Sequence, residues 1–306
     1  MIPIHYPIAE VDVIIVSYNA EKYIVQALES VLSQKTNFSF TIHLFDDCST
    51  DNTLGLANVI STKNENVHIH TSSVNLGTFA NLQRALTHCK ANFVALLEGD
   101  DYWMDNDKLQ LQIDFLKNNP AYVGCASNSI VFDQKTNEFK GLYNSDLKTE
   151  YTLPQLFSIP PFQIGTLVYR QKFLPNLPDE FKNTISNDKV IYTLLAKNGT
   201  IYCISKSLTV YRKHENSISN SESALTIYSK HQLLYAIMKK HFGIKYHLII
   251  NEALYVHLKG TMLLLSHQGV SFRRYLPEFI RLWISLGNAL SFKGLKEFAY
   301  FIIKLR

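Results

Sequence analysis

The sequence predicts an α/β protein: a doubly wound, mostly parallel sheet flanked by helices, with a helical extension at its C-terminal side. Two observations carry this. Strand-like apolar runs alternate with helix-period segments four times between Val11 and Asn118, which is the order of a doubly wound sheet. Polar clusters follow the first, second and fourth of those runs, and ligands bind at the carboxyl ends of strands in such sheets.

Val11 to Val16 (VDVIIV) is a continuous apolar run ending at Ser17-Tyr18-Asn19, as in a parallel strand buried on both faces. Tyr23, Ile24, Ala27, Leu28, Val31 and Leu32 then mark one face of a helix. Thr41 to Phe45 is a second strand. The segment Asp46-Asp47-Cys48-Ser49-Thr50-Asp51 leads into a second helix with capping residues. Val67 to His70 is a third strand, and Asn75-Leu76-Gly77 turns into a helix from Thr78 to Cys89. Asn92 to Leu97 is the fourth strand, followed directly by Glu98-Gly99-Asp100-Asp101. Asp107 to Asn118 reads as a helix with Leu109, Ile113 and Leu116 inward. Tyr122 to Ala126 and Ile164 to Tyr169 read as strands, with a turn-rich stretch over 133–162 between them. Asn187 to Lys197 is helical, Thr200 to Val210 is one strand or two, and the pattern is helical from Ser223 onward. The expected division is a catalytic domain over residues 1–220 and a helical region over 221–306.

The 306 residues suffice for one large α/β domain and a smaller addition. Cys48, Cys89, Cys125 and Cys203 form no closely spaced pair, so they read as buried reduced thiols and not as a zinc site or disulfide framework. Met1 to Glu10 lacks the basic and apolar regions of a signal peptide, and no uninterrupted apolar run reaches the roughly 18 residues of a spanning helix. A cytoplasmic protein is the expectation. The net charge of +4 is uneven: Arg273, Arg274, Arg281, Lys293, Lys296, Lys304 and Arg306 face only Glu278 and Glu297 in the last stretch. Those basic residues are interleaved with Phe272, Tyr275, Trp283 and Phe298. Such a pattern suits either an anionic membrane surface or helices packed on the domain with a solvated basic face. It has no nucleic-acid-binding module.

The adjacent carboxylates Asp100 and Asp101, in a tight turn after an apolar strand, suit a hard divalent cation holding a diphosphate. Alternatively they are a solvated turn at a helix start. Asp47 closes the second strand, where a carboxylate can accept a hydrogen bond from a uracil-like base edge; with Ser49 and Asp51 it can equally cap a turn.

VDVIIVSYNAEKYIVQALESVLSQ, FDDCSTDNT and LLEGDDYWMDNDKLQLQ resemble the successive landmarks of family 2 glycosyltransferases with the GT-A fold. NLGTFANLQRAL followed by EGDDYW is similar to a bacterial branch that builds surface polysaccharides. The resemblance is strong over residues 11–125 and weak over 160–216. It implies an inverting transferase that uses Mn2+ or Mg2+ and a nucleotide-sugar donor, UDP-linked in that branch's pattern, with a saccharide acceptor carried on a lipid. It also implies peripheral contact with the inner membrane surface. It places Val16, Ser17, Tyr18 and Asn19 along the nucleoside, Asp47 on the uracil, and Gly77, Asn81 and Arg84 near the nucleotide. Asp100 and Asp101 correspond to the DxD motif, here Asp-Asp-Tyr, with Asp101 on the metal and Asp100 on metal or ribose. Asp188 corresponds to the general base, with Asp179 and Glu180 as rivals; without the resemblance it is a helix-start carboxylate favoured by the dipole. TVYRKHENSIS resembles the closing YRxH segment, bringing Arg212 to the diphosphate and His214 to the metal from a mobile loop. Tyr102 and Trp103 are either acceptor floor or core.

Three other classes are weighed. A nucleotidyltransferase would carry a Gly-rich phosphate loop after the first strand, where SYNAEKYI has no glycine. A glycosidase needs two opposed carboxylates, and nothing pairs Asp188 with another. A sugar-nucleotide-binding scaffold at the membrane is the non-enzymatic alternative.

Overall fold

The computed structural model describes residues 9–174, 176–215, 223–267 and 276–285. The chain divides into two compact units. One comprises Met1–Leu156, Pro160–Pro178 and Asn187–Glu215; the other comprises Phe157–Ile159, Asp179–Ser186 and Asn216–Arg306.

In the first unit, β1 (Val11–Ser17), α1 (Ile24–Leu32), β2 (Phe40–Asp46), α2 (Thr53–Ser61), β3 (Val67–Thr71), α3 (Thr78–Thr87), β4 (Phe93–Glu98) and α4 (Lys108–Asn118) follow the predicted alternation. β1 pairs in parallel with β2 and β4, and β2 with β3, so these strands all end on one edge. Their core is Val11, Val13, Ile15, Ile42, Leu44, Ala95 and Leu97 packed on Ile24, Leu28 and Val31 of α1, all essentially without exposure.

The second half of this unit is more extended than its sequence pattern predicts. A two-residue strand, β5 (Tyr102–Trp103), precedes α4. β6 runs over Tyr122–Asp133, past the expected stop at Ala126, because Ser127, Asn128 and Ser129 are buried and hydrogen-bonded. The turn-rich stretch contains β7 (Glu138–Leu142), β8 (Glu150–Tyr151) and the single-turn α5 (Leu153–Leu156). Only Val168–Arg170 forms strand β9 where Ile164 to Tyr169 was the expectation; Ile164–Thr166 is a 3₁₀ turn. After α6 (Asn187–Ala196), β10 is one 14-residue strand, Thr200–Lys213, with irregular register between Ile204 and Thr209. Among the described residues the sheet order is β3-β2-β1-β4-β9-β6-β10-β5, with β7 on β6 and β8 on β10. β9 is antiparallel to both β4 and β6, so the sheet is mixed around a parallel half.

A buried knot supports the turn after β4. Trp103 is 2% exposed and its indole N–H donates to the Gly165 carbonyl at 2.9 Å, so it belongs to the core and not to an acceptor floor. Lys108 is fully buried, with Nζ 4.1 Å from the Trp103 ring centre and donating to Gln112 Oε1 at 2.8 Å. Gln112 in turn donates to the carbonyls of Cys125 and Thr166.

The second unit contains α7 (Ala224–Phe242), α8 (His247–His267) and α9 (Leu276–Ser285), with α8 packed against the other two. The Ser223 hydroxyl caps α7 by accepting from the Thr226 N–H. Ile244–Leu265 is long and apolar enough to cross a membrane, and a third of it is buried. Charges such as Glu252 and Lys259 interrupt this stretch, so it meets the length and mean hydropathy of a span without being an uninterrupted apolar run. Of the basic stretch 272–306, Arg273, Arg274 and all basic residues from Lys293 onward lie outside the described residues. Cys89, Cys125 and Cys203 are buried free thiols, whereas Cys48 is half-buried at φ 62° in the loop after β2.

Burial pushes the Lys108 ammonium down to about 7. Between that value and its unfolded value near 10.5 the unfolded chain binds the extra proton, so folding stability should rise with pH across this window. Urea unfolding at pH 7 and pH 9 should show this contribution as a more positive pH slope in the wild type than in Lys108→Met, by at most about 1.4 kcal/mol per pH unit. Lys108→Met should remove that part of the slope.

Candidate active site

Parallel register puts the polar ends of β1, β2 and β4 side by side: Ser17 pairs with Asp46 and Val16 with Glu98. Gly99 follows in close contact. A Cβ there would lie 3.0 Å from Ser17 Cβ and 3.2 Å from the Val16 carbonyl oxygen, so only glycine lets the next turn fold back over β1.

Three carboxyl groups converge after that glycine. Ligand oxygens of Glu98, Asp100 and Asp101 all lie within 4.8 Å of one another. Asp101 is 1% exposed. Its Oδ1 accepts from the Arg212 backbone N–H at 2.7 Å, and its buried Oδ2 has no hydrogen-bond partner. Burial, then the charges of Asp100 and Glu98, push Asp101 well above the usual carboxylate range. Burial and the charges of Asp100 and Asp188 raise Glu98 to about 8. An orphaned buried oxygen among mutually repelling oxygens is the environment a hard divalent cation relieves, so these residues fit Mn2+ or Mg2+. Glu98 is the member the sequence reading passes over. The signal was present in the run LLEGDD, where the strand ends on a carboxylate two residues before the pair.

His214 is drawn in through Asp100: its Nε2 lies 2.9 Å from Asp100 Oδ2, and its ring lies 4.9 Å from that of Tyr23. Its contact is to a ligand candidate, and it lies outside the three-carboxylate group. Arg212 departs from its expected place on a mobile loop. It ends strand β10 and is 6% exposed. Its guanidinium is spent on the Asp100 carbonyl (2.7 Å), Gln134 Oε1 (2.9 Å) and Gln26 Oε1 (2.6 Å), beneath the Tyr23 and Tyr102 rings. It therefore anchors the acidic turn from below. Gln26 and Gln134, which complete the anchor, carry no sequence signal because each is an isolated amide, one on α1 and one in the turn after β6.

The loops after β1 and β2 are laced together. Asn19, at φ 49°, donates its N–H to Ser49 Oγ and accepts from the Thr50 N–H through Oδ1. Tyr18 is 50% exposed at the rim, and Ser17 is buried beneath. The N-cap of α2 is Asn52, without a side-chain cap bond; Asp51, just before it, accepts from the Thr53 N–H. Asp47, 3% exposed, accepts from the Leu76 and Gly77 N–H groups at 2.8 and 2.9 Å. It thereby fixes the turn into α3, where Gly77 adopts φ 83°. Asn81 and Arg84 depart from their expected place at the nucleotide. Asn81 donates to the Phe45 carbonyl, and Arg84 donates to the carbonyls of Asp46 and Thr71 and to Asn81 Oδ1. They order the ends of β2 and β3.

Asp188 sits in the first turn of α6, two residues after Ser186 at φ 63°. Asn187 ties that turn to the start of α3 through Thr78 Oγ1 at 3.3 Å. Burial raises the Asp188 carboxyl above its usual value, partly offset by the Lys189 N–H, which donates to Oδ1 at 2.8 Å, and by the Lys189 charge. Asp188 is close enough to Glu98, Tyr143 and Tyr192 for its charge to raise all three, so it shares one electrostatic pocket with the acidic cluster. Glu180 belongs to the second unit, where it pairs with His241, and Asp179 belongs there too.

A carboxyl raised on folding costs stability as pH climbs from its unfolded toward its folded value, and a bound cation offsets that cost. Mn2+ should therefore raise the melting temperature more at pH 8 than at pH 6. Asp101→Asn and Glu98→Gln should each abolish the Mn2+-induced rise, read by differential scanning fluorimetry.

The same order of elements occurs in known proteins. TarS of S. aureus, solved in complex with UDP-GlcNAc, superposes with a TM-score of 0.67 at 22% identity, covering 92% of this chain and 82% of that one. In sequence, an uncharacterized protein of Mycobacterium tuberculosis is 29% identical over 215 residues, 69% of this chain and 60% of that protein. The chain thus spans 60% of the length of the first relatives it matches. WfgD of Escherichia coli, a UDP-Glc:α-D-GlcNAc-diphosphoundecaprenol β-1,3-glucosyltransferase, is 27% identical over 69% of this chain and 80% of its own length. A Bacillus subtilis glycosyltransferase assigned to teichuronic acid biosynthesis, TuaG, is 28% identical over 69% of this chain and 82% of its own. The model of glycosyl transferase family 2 matches residues 12–176, more than half of the chain, which therefore belongs to that family and carries its GT-A-like fold.

Proposed function

We propose that this glycosyltransferase is an inverting enzyme that moves a sugar from a UDP-linked donor to a saccharide on a lipid carrier, in the assembly of a cell-surface polysaccharide. The observation that carries this is the single carboxylate, Asp188, held in the same pocket as the Glu98–Asp100–Asp101 group yet on a different element. UDP-GlcNAc in TarS and the UDP-Glc and diphosphoundecaprenol substrates of WfgD support the choice of donor and acceptor classes.

The chemistry is one displacement. The acceptor oxygen forms a bond to the anomeric carbon while the bond from that carbon to the diphosphate oxygen breaks, and the hydroxyl proton passes to Asp188. Asp188 is suited to this because burial raises its proton affinity while the Lys189 N–H keeps one oxygen fixed. Glu98, Asp100 and Asp101 would hold Mn2+ or Mg2+, which supplies charge neutralisation for the leaving diphosphate. The choice of ion is supported by a Pyrobaculum calidifontis mannosyltransferase of similar fold in complex with GDP-Man and Mn2+ (TM-score 0.56). Asp47 retains a second lone pair on each oxygen for a uracil N–H, and Val16 to Asn19 form the wall along the nucleoside. Gly77 presents its backbone beside Asp47. Helices of the second unit, with the basic stretch 272–306, would hold the protein at the cytoplasmic face of the membrane where a lipid-linked acceptor resides.

The test is release of nucleotide diphosphate from a panel of nucleotide sugars with Mn2+ or Mg2+, then with EDTA. One UDP-sugar should turn over with metal only. Asp188→Asn should lower transfer by about 10²–10⁴-fold with donor affinity retained. Since activity needs ionised Asp188, kcat/KM should fall on the acid side around a pH above the ordinary aspartate value of about 3.9. Donor binding with no turnover toward any lipid-linked saccharide would favour the scaffold reading, and absence of donor binding would overturn both.

A further inference from the structure

A second group of metal-ligating side chains lies on the outer strands of the sheet, apart from the acidic turn. Parallel register sets His43 of β2 opposite His68 of β3, and Phe45 opposite His70. Alternate residues share a face, so His43, Phe45, His68 and His70 line one side of this strand pair. His88, just after α3, closes the row. Ring centres are 5.4 Å apart for His43–His68, 5.3 Å for His43–His70 and 5.0 Å for His70–His88, and Phe45 stacks on His70 at 4.4 Å.

Within this row His43 Nδ1 and His70 Nε2 are 3.1 Å apart. Two imidazole nitrogens each about 2.0–2.1 Å from one ion lie about 3.0–3.4 Å apart, for octahedral or tetrahedral angles. The other nitrogen of His43, Nε2, lies 3.6 Å from Asp12 Oδ1. Asp12 is 5% exposed, and its Oδ2 accepts the N–H groups of Lys90 and Ala91 at 2.7 and 2.9 Å. That carboxylate is therefore fixed with one oxygen aimed at the ring. A carboxylate behind a histidine is the usual outer partner of a metal-ligating imidazole, and it holds the proton on Nε2 and the lone pair on Nδ1. Burial and the neighbouring His43, His88 and His68 also hold the His70 imidazolium down to about 4, so its ring is neutral at physiological pH.

We propose that His43 and His70 form a bidentate site for a transition-metal ion of the Zn2+, Ni2+ or Cu2+ class, with Asp12 as the outer partner of His43 and water completing the coordination. The site is chemically distinct from the oxygen-only group at Glu98, Asp100 and Asp101, since imidazoles select these metals and carboxylates alone favour Mg2+ and Mn2+. The protons balance without net release. His43 keeps Nε2–H toward Asp12, and His70 gives up Nε2–H and takes a proton on Nδ1 through solvent. Two lone pairs then face the ion.

The test uses the full chain and Cu2+ as spectroscopic probe, with Zn2+ competition against a chromophoric chelator. The wild type should bind one equivalent of Cu2+ whose EPR spectrum carries hyperfine structure from two imidazole nitrogens. His43→Ala and His70→Ala should each weaken binding at least tenfold, and Asp12→Asn about tenfold to a hundredfold without changing stoichiometry. Asp101→Asn should leave the nitrogen signal intact. A wild-type spectrum without imidazole coupling would overturn the proposal with no variant needed. So would unchanged affinity in a folded His43→Ala/His70→Ala double variant.

Discussion

Carboxyl groups crowded at the end of one strand repel each other, and much of the surrounding polar structure answers that repulsion. Asp101 is held by a backbone amide from β10, and the Asp100 backbone by the guanidinium of the same residue, Arg212. The guanidinium is then locked by amides from α1 and from the loop after β6, through Gln26 and Gln134. Below the turn, Trp103 and Lys108 fill the core, and Gln112 satisfies carbonyls that the irregular strands leave open. The arrangement fixes position while leaving one buried oxygen unsatisfied, which is how a site keeps affinity for a cation it does not permanently need for folding.

Other charged and polar residues at this edge divide by the same logic. Asp47, Asn81 and Arg84 are committed to backbone groups of neighbouring loops and strand ends. They hold this edge of the sheet still. Asp188 stands at a helix start, where backbone N–H groups of its own first turn hold its carboxylate and none comes from a neighbouring loop.

The parallel half of the fold was legible in the sequence because each strand there is buried on both faces and reads as an apolar run. The placement of Asp100 and Asp101 just after β4 and of Asp188 in the first turn of α6 was legible from the element ends. What stayed hidden had physical reasons. β6 continues through Ser127, Asn128 and Ser129, buried polar residues among which the Ser127 and Asn128 side chains bond to backbone groups, a circumstance no hydropathy pattern records. Arg212 reads as a ligand because its neighbours resemble a loop motif, yet three surrounding acceptors claim it. The His43–His70 contact joins residues 27 positions apart that only strand register brings together.

That register has a further consequence, for how the gene can change. Ser17 ends level with Asp46, and Val16 with Glu98, because β1 pairs residue for residue with both neighbours, without a shift. Deleting or inserting one residue within any of the three strands would turn its side chains to the opposite face and misalign all three loop starts at once. Length variation should therefore collect in exposed connections such as 134–149 and be purged from residues 11–17, 40–46 and 93–98, so that lineages diverge in what they recognise while the nucleotide-facing edge keeps constant spacing.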